Sequence, residues 1–340
     1  MSNKIISLIT GDGQDTVFLA QLLLNKGHEV IVASRRNSKN SQWKYKELDI
    51  LDNSNLKFVL MDLTEFHNVN NVIKKYKPDY IFNLAAQSFV QSSFDNPILT
   101  SQINAIGVLY LLEAIKNNCL YTRLYQASTS EMFGKVQEIP QVETTPFYPR
   151  SPYGVSKLFA HEMIKNYRES YNIFACSGIL FNHESCFRGS EFVTKKIVEN
   201  VIRISRGERD FFELGNINAK RDWGFAGDYV EAMYLMLQQD TPQDFVISTG
   251  ETHTIKEFVE ESFAYINNKI EWVGEGLEEI AIDKNGLVVV RINPEYFRPS
   301  EVEILIGNSI KAKNILGWEP KYKFKDLIKH MMDYELKRSV

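Results

Sequence analysis

Short apolar runs alternate with amphipathic stretches through the first half of the chain, and this alternation limits the fold more than any single motif. The apolar runs cover residues 5–10, 29–34, 56–61, 80–84, 123–127 and 174–180. Between them lie stretches of helical periodicity at 15–25, 65–76, 98–117 and 152–171. Parallel strands need long crossovers, and crossover helices cover both faces of the sheet, so such strands are apolar throughout. The pattern therefore predicts an α/β fold with a doubly wound parallel sheet. From residue 181 on the rhythm breaks into shorter elements rich in charged and aromatic residues. We read 1–180 as one domain and 181–340 as a smaller, mixed C-terminal lobe, with some segments returning to the first.

A chain of 340 residues with 44% hydrophobic content can bury a large core. The formal charge of -4 is spread over mixed acids and bases, which argues against a nucleic-acid or membrane-surface protein. No apolar run reads as long enough to span a bilayer. Met1-Ser2-Asn3-Lys4 leads straight into the first apolar run without a signal-peptide pattern, so a cytoplasmic location is expected. Cys119, Cys176 and Cys186 have no metal-ligand spacing, and an odd number argues against a disulfide framework. No metal site is expected.

The first strand runs into Thr10-Gly11-Asp12-Gly13-Gln14-Asp15-Thr16. A glycine turn between strand and helix lets backbone N–H groups approach a pyrophosphate, so the expected fold is of Rossmann type. The second strand ends at Arg35-Arg36, where an NAD site places an acid. Two guanidinium forks suit the 2′-phosphate of NADP, with NAD as the alternative. Asp62 and Leu63 follow the third strand near the expected adenine position. Leu84, Ala85, Ala86, Gln87 and Ser88 follow the fourth, where small residues admit a cofactor.

Tyr153 and Lys157 stand four residues apart after Ser151-Pro152, an N-cap followed by proline at the first helical position. They share one helix face, and an ammonium there favours the phenolate, making Tyr153 a base near neutral pH. Upstream, Thr129 and Glu131 alternate by two at a strand end, which points both side chains the same way. An isolated pair of either kind is more often packing or surface polarity; the four together are not.

The run 126–131, the runs 134–141 and 144–154, and the segments 181–185, 219–223, 228–233 and 298–299 resemble the GDP-mannose 4,6-dehydratase family of extended short-chain dehydrogenases/reductases over nearly the whole chain. The resemblance implies that Tyr153 takes the proton of the sugar C4 hydroxyl, with Lys157 beside it, and that Thr129 binds the C4 oxygen. It implies that Glu131 removes the C5 proton and protonates the departing C6 hydroxyl, while a hydride taken from C4 returns to C6. His183 and Arg188 match cofactor-binding positions; Ser88, Ser130, Asn182, Lys196, Arg221, Arg298 and Glu301 match positions that hold the GDP-sugar. A homodimer or homotetramer is also implied.

The chain departs from the family in several places. The glycine turn is one residue shorter and ends on Thr16; Phe89 and Phe225 replace histidines, Gln91 and Gly227 replace lysines, and Cys186-Phe187 replaces Pro-Arg. These changes are expected to flank the sugar and make GDP-D-glycero-D-manno-heptose an alternative substrate. Two further readings compete: a sugar-nucleotide epimerase or reductase, against which Glu131 argues, and a silent NADP-binding scaffold, against which all four catalytic groups argue.

Overall fold

The computed structural model describes residues 4–35, 42–297, 302 and 304–338. The first half is built from β1 (Ile6–Thr10), α1 (Gln14–Asn25), β2 (Glu29–Ser34), α2 (Gln42–Glu47), β3 (Leu56–Leu60), α3 (Phe66–Tyr76), β4 (Tyr80–Asn83), α4 (Val90–Asp95), α5 (Pro97–Ser101), α6 (Gly107–Asn118), β5 (Arg123–Thr129), α7 (Pro152–Tyr171) and β6 (Ala175–Leu180). Every strand expected from the apolar runs is present, within two residues at most boundaries. The strands form one parallel sheet in the order β11-β6-β5-β4-β1-β2-β3, with β11 (Phe245–Ile247) arriving from the second half to pair with β6.

Two apolar cores flank this sheet. On one face Leu19, Leu23, Phe82, Tyr125 and Met233 pack together, with α9 (Ala226–Leu237) lying against α1. On the other face Leu8 of β1 and Ile31 of β2 pack against Val69, Leu111, Ile115 and Ile164 from α3, α6 and α7. The helical stretch from Pro97 to Asn118 is interrupted by a π turn at Gln102–Ile106. Contrary to the sequence reading, this 22-residue run is long and apolar enough, at mean hydropathy 1.5, to cross a membrane by length and composition. Here it is a core helix: Val108, Leu111, Leu112, Ala114 and Ile115 are buried against α3 and α7.

The second half contributes β7 (Asn182–Glu184), α8 (Val193–Ser205), β8 (Phe212–Leu214), β9 (Lys220–Arg221), β10 (Trp223–Phe225), β12 (His253–Thr254), α10 (Ile255–Tyr265), β13 (Glu271–Val273), β14 (Ile280–Ile282), β15 (Val288–Ile292), α11 (Ile310–Leu316) and α12 (Phe324–Arg338). A four-stranded sheet, β13-β14-β15-β8, packs with α8, α10 and α12 around Val201, Phe258, Phe263, Val290 and Met331. Thr254 and Glu257 form a capping box that starts α10.

Candidate active site

All strands of the large sheet run the same way, so their carboxyl ends share one edge. Ligands of open α/β sheets bind along that edge, where the strand order reverses; here that is between β1 and β4. The connections there carry Gly11, Arg35, Asp62, Leu84 and Glu131.

Gly11 has φ +93, and a Cβ there would lie 3.0 Å from Ala85 Cα, so only glycine lets the turn press against the end of β4. Thr10 Oγ1 accepts from Ala85 N at 3.1 Å and donates to Asn83 Oδ1. Gly13 is the N-cap of α1 and gives it no side-chain cap, so the first-turn N–H groups are those an anion would meet. This close-packed turn at an uncapped helix end fits a dinucleotide. Thr16, in place of the family's last glycine, is accommodated fully buried. Gln14 joins the turn to β7 and the residue after it: its Nε2 donates to the His183 carbonyl at 2.7 Å and its Oε1 accepts from Ser185 Oγ at 2.7 Å.

Arg35 is exposed just beyond β2; Arg36, Arg298 and Glu301 lie outside the described residues. The Asp62 carboxylate is engaged by its own loop, accepting from Thr64 N and Oγ1 at 2.9 and 2.8 Å. Leu63 is buried against Gly107.

The four proposed catalytic side chains converge from β5 and α7, and each is at least nine-tenths buried. Ser151 caps α7, accepting from Gly154 N at 3.0 Å, with Pro152 at the first position. Thr129 is the last residue of β5, and the chain then turns at once into a 3-10 turn, Ser130–Met132. Strand alternation therefore does not aim Glu131. The Thr129 hydroxyl caps the turn, accepting from Glu131 N at 3.2 Å, and Gly154 lets α7 pack directly on the Glu131 carbonyl.

The electrostatics correct the sequence reading of Tyr153. Burial pushes its phenol up to about 12, opposed by a hydrogen bond with Thr129. Lys157 does not reverse this, because its Nζ donates to the Ala127 carbonyl at 2.8 Å and stands 5.9 Å from the phenol ring's centre. Burial also lowers the Lys157 ammonium to about 8, opposed by Asp15. Desolvation of both groups outweighs the helix-face pairing.

His183 is stacked 4.6 Å from the Tyr229 ring, with Nδ1 2.8 Å from the Phe181 carbonyl and Nε2 3.0 Å from Asp15 Oδ2. Burial alone would lower its pKa, but the Asp15 carboxylate and that carbonyl carry it above the ordinary value. Arg188 pairs with Glu184 at 3.0 Å. Asn182 lies in β7, which pairs with β10. Lys196 stands 4.0 Å over the Tyr296 ring. The Arg221 guanidinium donates to the carbonyls of Lys220 and Val302 at 2.9 and 2.7 Å. Ser130 is buried within the 3-10 turn, and Ala86 and Ser88 lie in the loop leading to α4.

Two residues escaped the sequence reading. Asn104, in the π turn, exchanges hydrogen bonds of 2.8 and 2.9 Å with the Gln87 backbone and reaches Ser156 Oγ at 3.2 Å, tying the loop after β4 to α7. Asp222 is fully buried and holds Thr249 N, Thr249 Oγ1 and Gly250 N at 2.9, 2.6 and 3.0 Å. A polar residue inside an apolar helical run was the one available signal for Asn104. Three of the departures prove to be packing. Phe187 rings with Phe18, Trp43 and Tyr334, and Phe225 with Phe18, Tyr322 and His330. A side chain at Gly227 would strike the Phe225 ring, so the second change makes room for the first.

The fold recurs in solved proteins. A UDP-glucose 4-epimerase from Thermotoga maritima with UDP-glucose matches at TM-score 0.81 and 23% identity, covering 99% of this chain and 100% of that one. A dTDP-glucose 4,6-dehydratase from Streptomyces venezuelae with NAD and TYD bound matches at TM-score 0.83 and 20% identity, covering 98% and 97%. Sequence relatives are much nearer. The human GDP-mannose 4,6 dehydratase is 48% identical, over 98% of this chain and 92% of its own length. That of Vibrio cholerae is 45% identical, over 99% and 95%. The family model described as GDP-mannose 4,6 dehydratase matches residues 8–331. With the glycine turn, Thr129, Glu131, Tyr153 and Lys157 all within the matched span, the chain belongs to the GDP-mannose 4,6-dehydratase family.

Proposed function

We propose that the protein is a hydro-lyase that converts GDP-mannose to GDP-4-keto-6-deoxymannose. The observation that carries this is the convergence of Tyr153, Lys157, Thr129 and Glu131 at one buried wall, in a chain 45–48% identical to the GDP-mannose dehydratases above. Those relatives give the heptose reading no support, and the packing roles of Phe187, Phe225 and Gly227 remove part of its motive. Epimerases share the fold at low identity, which bears on architecture alone.

A nicotinamide dinucleotide, when bound, supplies a hydride acceptor, the matching donor and a positive charge beside the phenol. Gly11, Gly13, Gln14 and the backbone of Asp15 would hold its pyrophosphate side, Leu84–Ser88 and His183 its inner face, and Arg35 with Arg36 would favour the 2′-phosphate of NADP. With the cofactor's positive charge offsetting the desolvation of its phenol, Tyr153 takes the C4 hydroxyl proton, and Thr129 steadies that oxygen. The C4 ketone acidifies C5, so the Glu131 carboxylate removes the C5 proton and then delivers it to the C6 hydroxyl as water departs. Residues 1–180 supply the dinucleotide site and this chemistry; residues 181–340 chiefly hold the GDP-sugar through Asn182, Lys196, Arg221, Arg298 and Glu301. Exposed Ile98, Leu99, Val155 and Phe159 on the neighbouring α5 and α7 support a homodimer as the assembly.

The test is to incubate the purified protein with GDP-mannose and follow loss of one water by mass spectrometry. Glu131→Gln is expected to slow dehydration by about a hundred- to ten-thousand-fold while still oxidising C4, seen as absorbance of the reduced cofactor. Normal elimination by that variant would overturn the assignment.

A further inference from the structure

We propose that Phe89 and Phe192 form an apolar latch that joins the two lobes across the mouth of the cleft and keeps the oxidised sugar enclosed until water has left. Phe89 is the N-cap of α4, in the loop that follows β4, and Phe192 is the N-cap of α8 in the second lobe. Their rings meet edge to face, centroids 6.0 Å apart and planes at 78°. This is the geometry aromatic pairs prefer. Phe89 remains 36% exposed, so the contact lies at the protein surface, in the loop at the carboxyl edge of β4, and not in a core.

Both residues are held in place, Phe192 at its ring and Phe89 at its backbone. The Arg188 guanidinium stacks 3.6 Å over the Phe192 ring, and the charge of Arg188 is felt at the Tyr153 phenol. On the other side Gln87 Nε2 donates to the Phe89 carbonyl at 3.0 Å, and Asn104 clamps the Gln87 backbone. One contact thus links Asn104, Gln87 and Phe89 of the first lobe to Phe192 and Arg188 of the second, next to the catalytic phenol. Phe89 stands where the family carries a titratable histidine. Two phenyl rings neither donate nor accept protons, and their contact keeps water from passing between them. A contact of this kind shifts an equilibrium by about 2- to 10-fold, which is weak enough to open at each turnover.

The inference rests on the dehydratase reading of the cleft, and its test separates the two. Amide hydrogen exchange of the ligand-free chain is compared for wild type, Phe89→Ala, Phe192→Ala, the double variant and Phe89→Leu. Each alanine variant is expected to exchange about 2- to 10-fold faster over 87–95 and 192–196, with the double variant no faster than either single one. With GDP-mannose, the alanine variants are expected to raise KM more than they lower kcat. They should also release sugar nucleotide lighter by two hydrogens instead of by one water, the hydride staying on the reduced cofactor and the proton passing to solvent through Tyr153, and Phe89→Leu should partly restore retention. If wild type fails to dehydrate GDP-mannose, the functional reading falls while the exchange arm still decides the latch. Unchanged exchange in the single variants, or dehydrated product alone from them, would overturn the latch.

Discussion

At the scale of single residues, desolvation decides the charge state of the site. Tyr153 and Lys157 lie on one helix face, yet burial pushes the phenol up to about 12 and the ammonium down to about 8. Tyrosinate absorbance should therefore show no Tyr153 ionisation below pH about 10 in the ligand-free chain, so wild type and Tyr153→Phe should titrate alike there. An extra tyrosinate below that pH in wild type alone would contradict it. Asp222 gives a second test. Burial raises its carboxyl from 3.8 to about 6, against hydrogen bonds from Thr249, Gly250 and Gly307. Between those values the folded chain binds a proton the unfolded chain has lost, so this group's contribution to stability falls as pH rises through the window. Asp222→Asn lacks that titration. At neutral pH it should cost about 1–3 kcal/mol, because its amide N–H turns a donor toward backbone donors. The stability gap to wild type should narrow from pH 4 to 6, read from thermal melts across that range.

At the scale of elements, the catalytic turn is positioned by a contact between a helix and a backbone. The 3-10 turn Ser130–Met132 is capped by Thr129 and backed by Gly154 of α7, where a Cβ would lie 2.8 Å from the Glu131 carbonyl oxygen. Gly154→Ala must push α7 off the turn, because backbone cannot rotate away as a side chain can. We expect a stability loss of about 1–3 kcal/mol, typical of overpacking, with a fall in kcat larger than any change in KM. Denaturant melts and steady-state rates would show it, and a fully active, equally stable variant would contradict it. The strands β1 to β6 and the helices α1, α3, α6 and α7 were legible from periodicity and from Ser151-Pro152, whereas the shorter elements after residue 181 were not. The π turn around Asn104 and the 3-10 turn after Thr129 were not. Each depends on packing against α7, a helix that begins only at Pro152.

At the scale of the whole molecule, the two halves are interleaved. The segment after β10 returns to the large sheet, where Asp244 accepts two bonds from Arg168 of α7, at 3.1 and 2.8 Å, and one from Ser177 N at 2.7 Å. Arg168→Ala leaves that carboxylate partly buried without its cation. It should cost about 3–5 kcal/mol in denaturant melts, and a loss below 1 kcal/mol would show the pair to be dispensable. The alternation of apolar runs with amphipathic stretches determined the parallel sheet by itself, because both faces of such a sheet must be covered by its own crossovers. The motif residues likewise carried the family by themselves. Tertiary structure alone decided that Phe187, Phe225 and Gly227 are packing, that Glu131 is aimed by a turn, and that Phe89 reaches Phe192. Each outcome depends on which distant surface arrives beside the residue, and local spacing holds no record of that.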